Sequence, residues 1–117
     1  MTERFSSYAA FWPHYLREHA RPQTRALHYA GTLSGILLVG FAVVIGPWWL
    51  ALLALVAGYG PAWIGHGFIE RNCPATFTHP VWSLLSDFRM AYLWMNRRLR
   101  PELAGAMAMA PAPTSDL

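Results

Sequence analysis

The stretch "ALHYAGTLSGILLVGFAVVIGPWWLALLALVAGYGPAWIGHGFI", from Ala26 to Ile69, contains no Asp, Glu, Arg or Lys. A helix needs about 20 apolar residues to cross a bilayer, and this run is about twice that long. A one-domain chain of 117 residues has too little interior to hide it. Composition agrees: 13% of residues are charged, against about 25% in soluble domains. The chain therefore reads as an integral membrane protein. Gly46-Pro47 is the strongest break in the run. It divides the run into one helix from Pro22 to about Ile45 and another from about Trp48 to Arg71. The expected fold is all-α: an integral membrane helical hairpin with flanking amphipathic or interfacial helices, residues 1–100 forming a single domain.

The flanks carry the charge. Every basic residue is Arg, and the net charge is +3. Arg17, Arg21 and Arg25 precede the run, while Arg71, Arg89, Arg97, Arg98 and Arg100 follow it. A nucleic-acid reader would interleave base and aromatic on one exposed face; this distribution is a topology signal instead. By the positive-inside rule both termini are cytoplasmic and Gly46-Pro47 faces the far side. The expected location is a bacterial inner membrane. No removable signal peptide is evident, and the single Cys73 allows no internal disulfide.

Outside the hairpin, residues 3 to 19 read as an amphipathic helix, with Phe5, Tyr8, Phe11 or Trp12, and Tyr15 at helical spacing. Pro74 and Pro80 bar regular helix between Asn72 and Pro80. Thr78 is the expected cap of a third helix running to about Arg100, with Pro80 in its first turn. Its apolar side is Val81, Leu84, Leu85, Phe88, Tyr92 and Met95. Residues 101–117, ending "APAPTSDL", read as a disordered tail.

Counting from the turn brings the histidines together. His28 lies 19 residues before Pro47, and His66 lies 19 after it. At 1.5 Å per residue both are about 28 Å from the turn, at one depth. His19 and His79 border that same end, and Glu70 follows His66 by one helical turn. Imidazole is a common ligand of Zn, Fe, Cu and Ni. A single interface histidine usually caps a helix or bonds to lipid phosphate; four at one end of a hairpin favour a metal site. Glu70 and Asp87 would then either bind metal or orient imidazoles. Arg25 is either a topology anchor or a partner for a substrate carboxylate, and His14 is a structural residue. Other readings stay open: two histidines ligating a b-type haem, a structural hairpin without catalysis, and, last, a desaturase-like di-iron enzyme.

"FWPHYLREHARPQTRALHYAGT", followed by "GHGFIERNCPATFTHPVWSLLSDFRM", resembles the 2-hydroxy-fatty-acid dioxygenase family. These are small membrane proteins whose fungal member leads from phytosphingosine to odd-numbered fatty acids. The motifs are His19, Pro22, Arg25, His28 and Gly31, then His66, Glu70, Asn72, Pro74-Ala75, Pro80, Ser83-Leu84 and Asp87. The likeness extends to about Leu99. Thr24 stands where the family usually has Asn, and His14 and Cys73 are local variants. The resemblance implies Fe(II), held by His19, His28, His66 and His79. It implies cleavage of a 2-hydroxy fatty acid by dioxygen to a product one carbon shorter, with membrane lipid as the surrounding partner. Glu70 and Asp87 are the candidate catalytic carboxylates, and Arg25 the candidate carboxylate-binding residue.

Overall fold

The structure, a computed structural model, describes residues 5–109. Five α-helices are present among them: α1 Tyr8–Arg17, α2 Pro22–Ile45, α3 Trp49–Ile64, α4 Pro80–Met95 and α5 Leu99–Ala108. No strand occurs among the described residues. The last turns of the second hairpin helix, Gly65–Glu70, are π-helical, and Ala75–Phe77 form a 3₁₀ turn.

Pro22 starts α2 because the first turn needs no N–H from it. The helix ends at Gly46, whose φ of 105° is open to glycine at little cost. The Gly46 N–H reaches back to the Ala42 carbonyl at 3.0 Å, and Pro47 prevents further winding. α2 has 24 residues, which makes it about 36 Å long and sufficient for a hydrocarbon core of about 30 Å. α3 with its π-helical end is also long and apolar enough to cross a membrane.

The two helices meet along small residues. A Cβ on Gly31 would sit 2.6 Å from the Gly58 carbonyl oxygen, so no larger residue fits without moving backbone. Gly35 faces Ala54, and Gly65 faces the Thr24 methyl. Such close approach recovers dispersion energy where lipid removes the hydrophobic drive between helices. The rest of the hairpin is uncovered: Val43, Val44, Ile45, Leu52, Leu55 and Val56 are all exposed. An apolar face of that extent suits contact with lipid, and both helices are long and apolar enough to cross a membrane.

The remaining helices pack at the end of the hairpin opposite Gly46-Pro47. Phe11, Trp12, Tyr15 and Leu16 of α1 pack with Met90, Ala91, Leu99 and Ala106 in one buried cluster. Ser7 caps α1 by accepting from the Ala10 N–H. Three local expectations change. The cap of α4 is His79, not Thr78; the Thr78 hydroxyl donates to Ala75 O instead. The third helix is broken after Met95, where Arg97 takes a positive φ of 58°. The tail begins as ordered helix, since α5 covers Leu99–Ala108 with Pro101 in its first turn, where a missing N–H costs nothing. Residues 110–117 lie outside the described residues.

α4 is turned over relative to the simple amphipathic pattern. Its apolar stripe, Val81, Leu84, Leu85, Phe88, Tyr92 and Met95, is exposed, while Ser83, Ser86, Met90 and Ala91 are buried. Small side chains let α4 approach its neighbours, and Ser86 satisfies its hydroxyl on Tyr8 Oη at 2.9 Å. The stripe faces away from protein, as expected of a helix whose outer side meets lipid.

Candidate metal centre

His19, His28 and His66 come from three different places: the linker after α1, the second turn of α2, and the π-helical end of α3. Their ligand atoms all lie within 4.8 Å of one another, and all three residues are buried. The His28 and His66 ring centroids are 5.0 Å apart, which is the equal-depth geometry that counting from Pro47 anticipates. A π-turn often marks a functional position in a helix. Here it ends at Arg71, and the Asn72 N–H bonds back to the His66 carbonyl at 2.9 Å.

The hydrogen bonds on the far side of each ring decide what the near side can do. His19 Nδ1–H donates to Tyr15 O at 2.6 Å, and His28 Nδ1–H donates to Thr24 O at 3.0 Å. Carbonyl oxygens only accept, so both Nδ1 atoms must carry protons. His66 Nδ1–H donates to Asn72 Oδ1 at 2.5 Å. The neutral rings therefore turn their Nε2 lone pairs inward. Those of His19 and His28 face each other at only 2.9 Å. Two opposed lone pairs at that distance repel unless a cation lies between them. Burial, reinforced by His28 and His66, lowers the His19 pKa well below the usual range, so a proton is not the favoured cation. Two metal–nitrogen bonds of about 2.05 Å at a right angle span about 2.9 Å. The donor set of three buried imidazoles thus fits a divalent transition ion, which His19, His28 and His66 would hold. The same 2.9 Å leaves no room for a porphyrin between His19 and His28.

The linker that carries His19 is held from three sides. Asn72 Nδ2 donates to Glu18 O at 3.1 Å and to Glu18 Oε2 at 3.0 Å. Arg25 Nη1 donates to the carbonyls of His19 and Ala20 at 2.8 and 2.9 Å. Glu70 Oε1 accepts from the Arg21 N–H at 2.6 Å. Glu70 and Arg25 are therefore placed one layer out from the imidazoles, fixing the backbone around them. His14, as a structural residue, pairs with Glu18 Oε1 at 3.2 Å.

Asp87 reaches the site through Tyr15. The Tyr15 phenol donates to Asp87 Oδ1, and its ring stacks on His19 with centroids 4.1 Å apart. Burial pushes the Tyr15 phenol well above its ordinary value. Burial also lifts the Asp87 carboxyl to about 7, against the lowering effect of the Tyr15 hydrogen bond. Asp87 also lines a groove of about 370 Å³ between α2, α3 and α4. Gly31, Gly35, Ala54 and Gly58 form part of its wall, with Leu84 and Phe88 from α4. Arg25 is not on this groove; it lines a separate cavity.

His79 is not a member of the three-imidazole group. Its Nε2 accepts from the Phe5 N–H at 3.2 Å, its Nδ1–H donates to Thr78 Oγ1 at 2.9 Å, and its ring stacks on Trp82. The Phe11 ring lies between it and Tyr15, at 5.1 Å from His79 and 6.1 Å from Tyr15. The cap geometry at the start of α4 turns this imidazole toward α1. Asn72 and Tyr15, conversely, touch the imidazoles without having been singled out for a role. For Asn72 the signal was its place six residues after His66; for Tyr15 it was the i, i+4 spacing to His19.

Asn72→Ala is expected to weaken metal affinity by about 10–100-fold, since it frees the His66 ring and releases Glu18 together. Asn72→Asp keeps an acceptor for His66 and should recover part of the loss. Titration against a competing chelator measures both. Wild-type affinity in Asn72→Ala would remove Asn72 from this role.

No curated protein and no solved structure matches the chain. A family model does match, over residues 5–99, and it is described as "2-hydroxy-palmitic acid dioxygenase Mpo1-like". The matched region takes in all three converging imidazoles, Asn72, Asp87 and both hairpin helices, and on that match the chain belongs to the Mpo1-like family.

Proposed function

We propose that this chain is an Fe(II)-dependent membrane dioxygenase that cleaves a 2-hydroxy fatty acid between its carboxyl and hydroxyl carbons. The observation that carries the reading is the inward-facing pair of Nε2 atoms 2.9 Å apart, on rings whose Nδ1 protons are already committed. His19, His28 and His66 would hold the ion. When bound, Fe(II) supplies dioxygen activation beside a chelating hydroxy acid. Family membership supports the substrate class.

The chain's own residues account for the rest. The acyl tail lies in the groove along Gly31, Gly35 and Gly58, in contact with the lipid from which it comes. Its polar head then lies toward the turn of α2 that carries His28. Asp87, on the groove and near half-protonation at neutral pH, is placed to hold or release a proton. Tyr15 fixes that carboxyl and supports the His19 ring. Glu70, Arg25 and Asn72 keep the His19 linker from shifting. By the positive-inside rule the Arg-rich ends favour both termini on the cytoplasmic side; protease tags accessible only from that side would agree, and an externally cleaved N-terminal tag would reverse the orientation.

The test is conversion of a labelled 2-hydroxy fatty acid by purified, Fe(II)-loaded protein, with oxygen uptake followed alongside. The expected product is one carbon shorter, formed in step with oxygen consumption. Conversion without oxygen uptake, or none at all, would overturn the reading. Gly35→Leu belongs in the same assay. A Cβ there is in ordinary contact with the Ala54 carbonyl at 3.5 Å, so only the larger side chain intrudes on the groove. KM for a long-chain substrate should rise on the order of 10-fold, as for a lost stretch of apolar contact worth about 1–3 kcal/mol, with metal content unchanged.

A further inference from the structure

The second cavity is of about 670 Å³ and shares no lining residue with the groove. Its walls are Pro22, Arg25, Ala26 and Tyr29 from α2, Trp94 from α4, Arg97 from the break, and Leu99, Arg100 and Leu103 from α5. We propose that it is a binding site for a phosphate group at the membrane surface, with the head group of an anionic phospholipid as the natural source.

Charge is the first support. Arg25, Arg97 and Arg100 all line the cavity, and no carboxylate does. None of the three has a carboxylate partner among the described residues. Glu102, the acidic residue in the first turn of α5, is turned to Arg89 at 3.5 Å. Guanidinium groups match phosphate oxygens in both charge and planar geometry.

Helix ends add to it. Pro22 and Ala26 lie in the first turns of α2, and Leu99 and Arg100 open α5. Neither helix has a side-chain cap. Two N-termini whose cap residues make no side-chain cap bond thus border one cavity, with Glu70 on the Arg21 N–H at the start of α2 and Glu102 in the first turn of α5 as the carboxylates nearest them. Position supplies the third support. Pro22 begins a membrane-spanning helix, so the cavity is at the depth of lipid head groups. Tyr29 and Trp94 stack at 4.3 Å on its wall, as aromatic residues do at that interface. The Tyr29 hydroxyl is buried on the same wall, beside the Arg25 guanidinium. Finally, Arg97 occupies a left-handed position, φ 58°, that ordinarily selects Gly. An Arg in that place accepts backbone strain while placing a third guanidinium on the cavity.

The test uses the full chain in neutral-detergent micelles. Lipid retained by the protein is measured for phosphatidylglycerol and phosphatidylcholine, and soluble glycerol 3-phosphate is tried as a competitor. Wild-type protein should retain phosphatidylglycerol at least about 10-fold better than phosphatidylcholine, with retention weakened by salt. Arg97→Gly combined with Arg100→Gln should erase that preference. Because Gly suits the positive φ at 97, melting temperature should hold or rise, which separates lost binding from lost folding. Arg97→Lys with Arg100→Lys should retain part of the preference. Competition by glycerol 3-phosphate would show that the phosphate is recognised apart from the acyl chains, and absence of competition would assign the site to the intact lipid. Equal retention of both lipids by wild type, or an unchanged preference in the Gly/Gln variant, would overturn the proposal.

Discussion

His66→Ala and His28→Ala should each lose turnover to background while still inserting into the membrane. The three imidazoles are the only group of this kind among the described residues, and each comes from a separate element, so no neighbour replaces a lost one. The hairpin does not depend on them: its contact is the Gly31–Gly58 seam, and its drive to insert is the apolar run. The separation of effects is measurable. An ion bound at 100 times its dissociation constant stabilises the folded wild-type protein by about 2.7 kcal/mol. That increment should vanish in both variants, together with oxygen uptake, while resistance to alkaline extraction from membranes stays at the wild-type level. Retained turnover in either variant would eliminate this site.

Gly31→Ala should be almost as damaging, by a route that touches no ligand. The added Cβ would lie 2.6 Å from the Gly58 carbonyl oxygen and 3.2 Å from that of Ala57. Both obstacles are backbone, so α2 and α3 must separate. Overpacking of this kind costs about 1–3 kcal/mol. His28 is one turn before Gly31 and His66 two turns beyond Gly58, so separation of the helices also separates their rings. Metal affinity should fall by roughly 10-fold or more alongside the melting temperature, if a displaced ligand costs at least what a lost outer contact does. Gly40→Ala is the control. Nothing lies within 4 Å of its Cβ position, and helix propensity alone favours Ala by about 1 kcal/mol. If the two variants behave alike, the close seam does not position the site.

The alternation of Arg-rich flank, apolar run, Gly-Pro break and second apolar run was enough for the hairpin. Solvent dictates that outcome: in lipid, backbone groups must bond within the segment, and a helix does so without a partner. The depth match of His28 and His66 follows from helix rise alone. The orientation of α4 does not. Periodicity reveals an apolar stripe, but a stripe facing lipid and a stripe facing protein have the same period. Burial of Ser83 and Ser86, with Leu84, Leu85 and Phe88 outward, reverses the ordinary reading, the arrangement an apolar outer medium favours.

The linear chain by itself determined the two spans, their boundary at Gly46-Pro47, and the meeting of His28 with His66. All of these depend on local backbone geometry and composition. Only the tertiary structure decided which other side chains join them. His19 enters because the α1–α2 linker folds back under the hold of Arg25, Glu70 and Asn72, whereas His79 is turned toward Phe5 and Trp82 by the start of α4. Tyr15 and Asp87 are 72 positions apart, yet share a hydrogen bond. Such contacts depend on how separate helices dock, and docking is fixed by packing across the whole molecule rather than by any one segment.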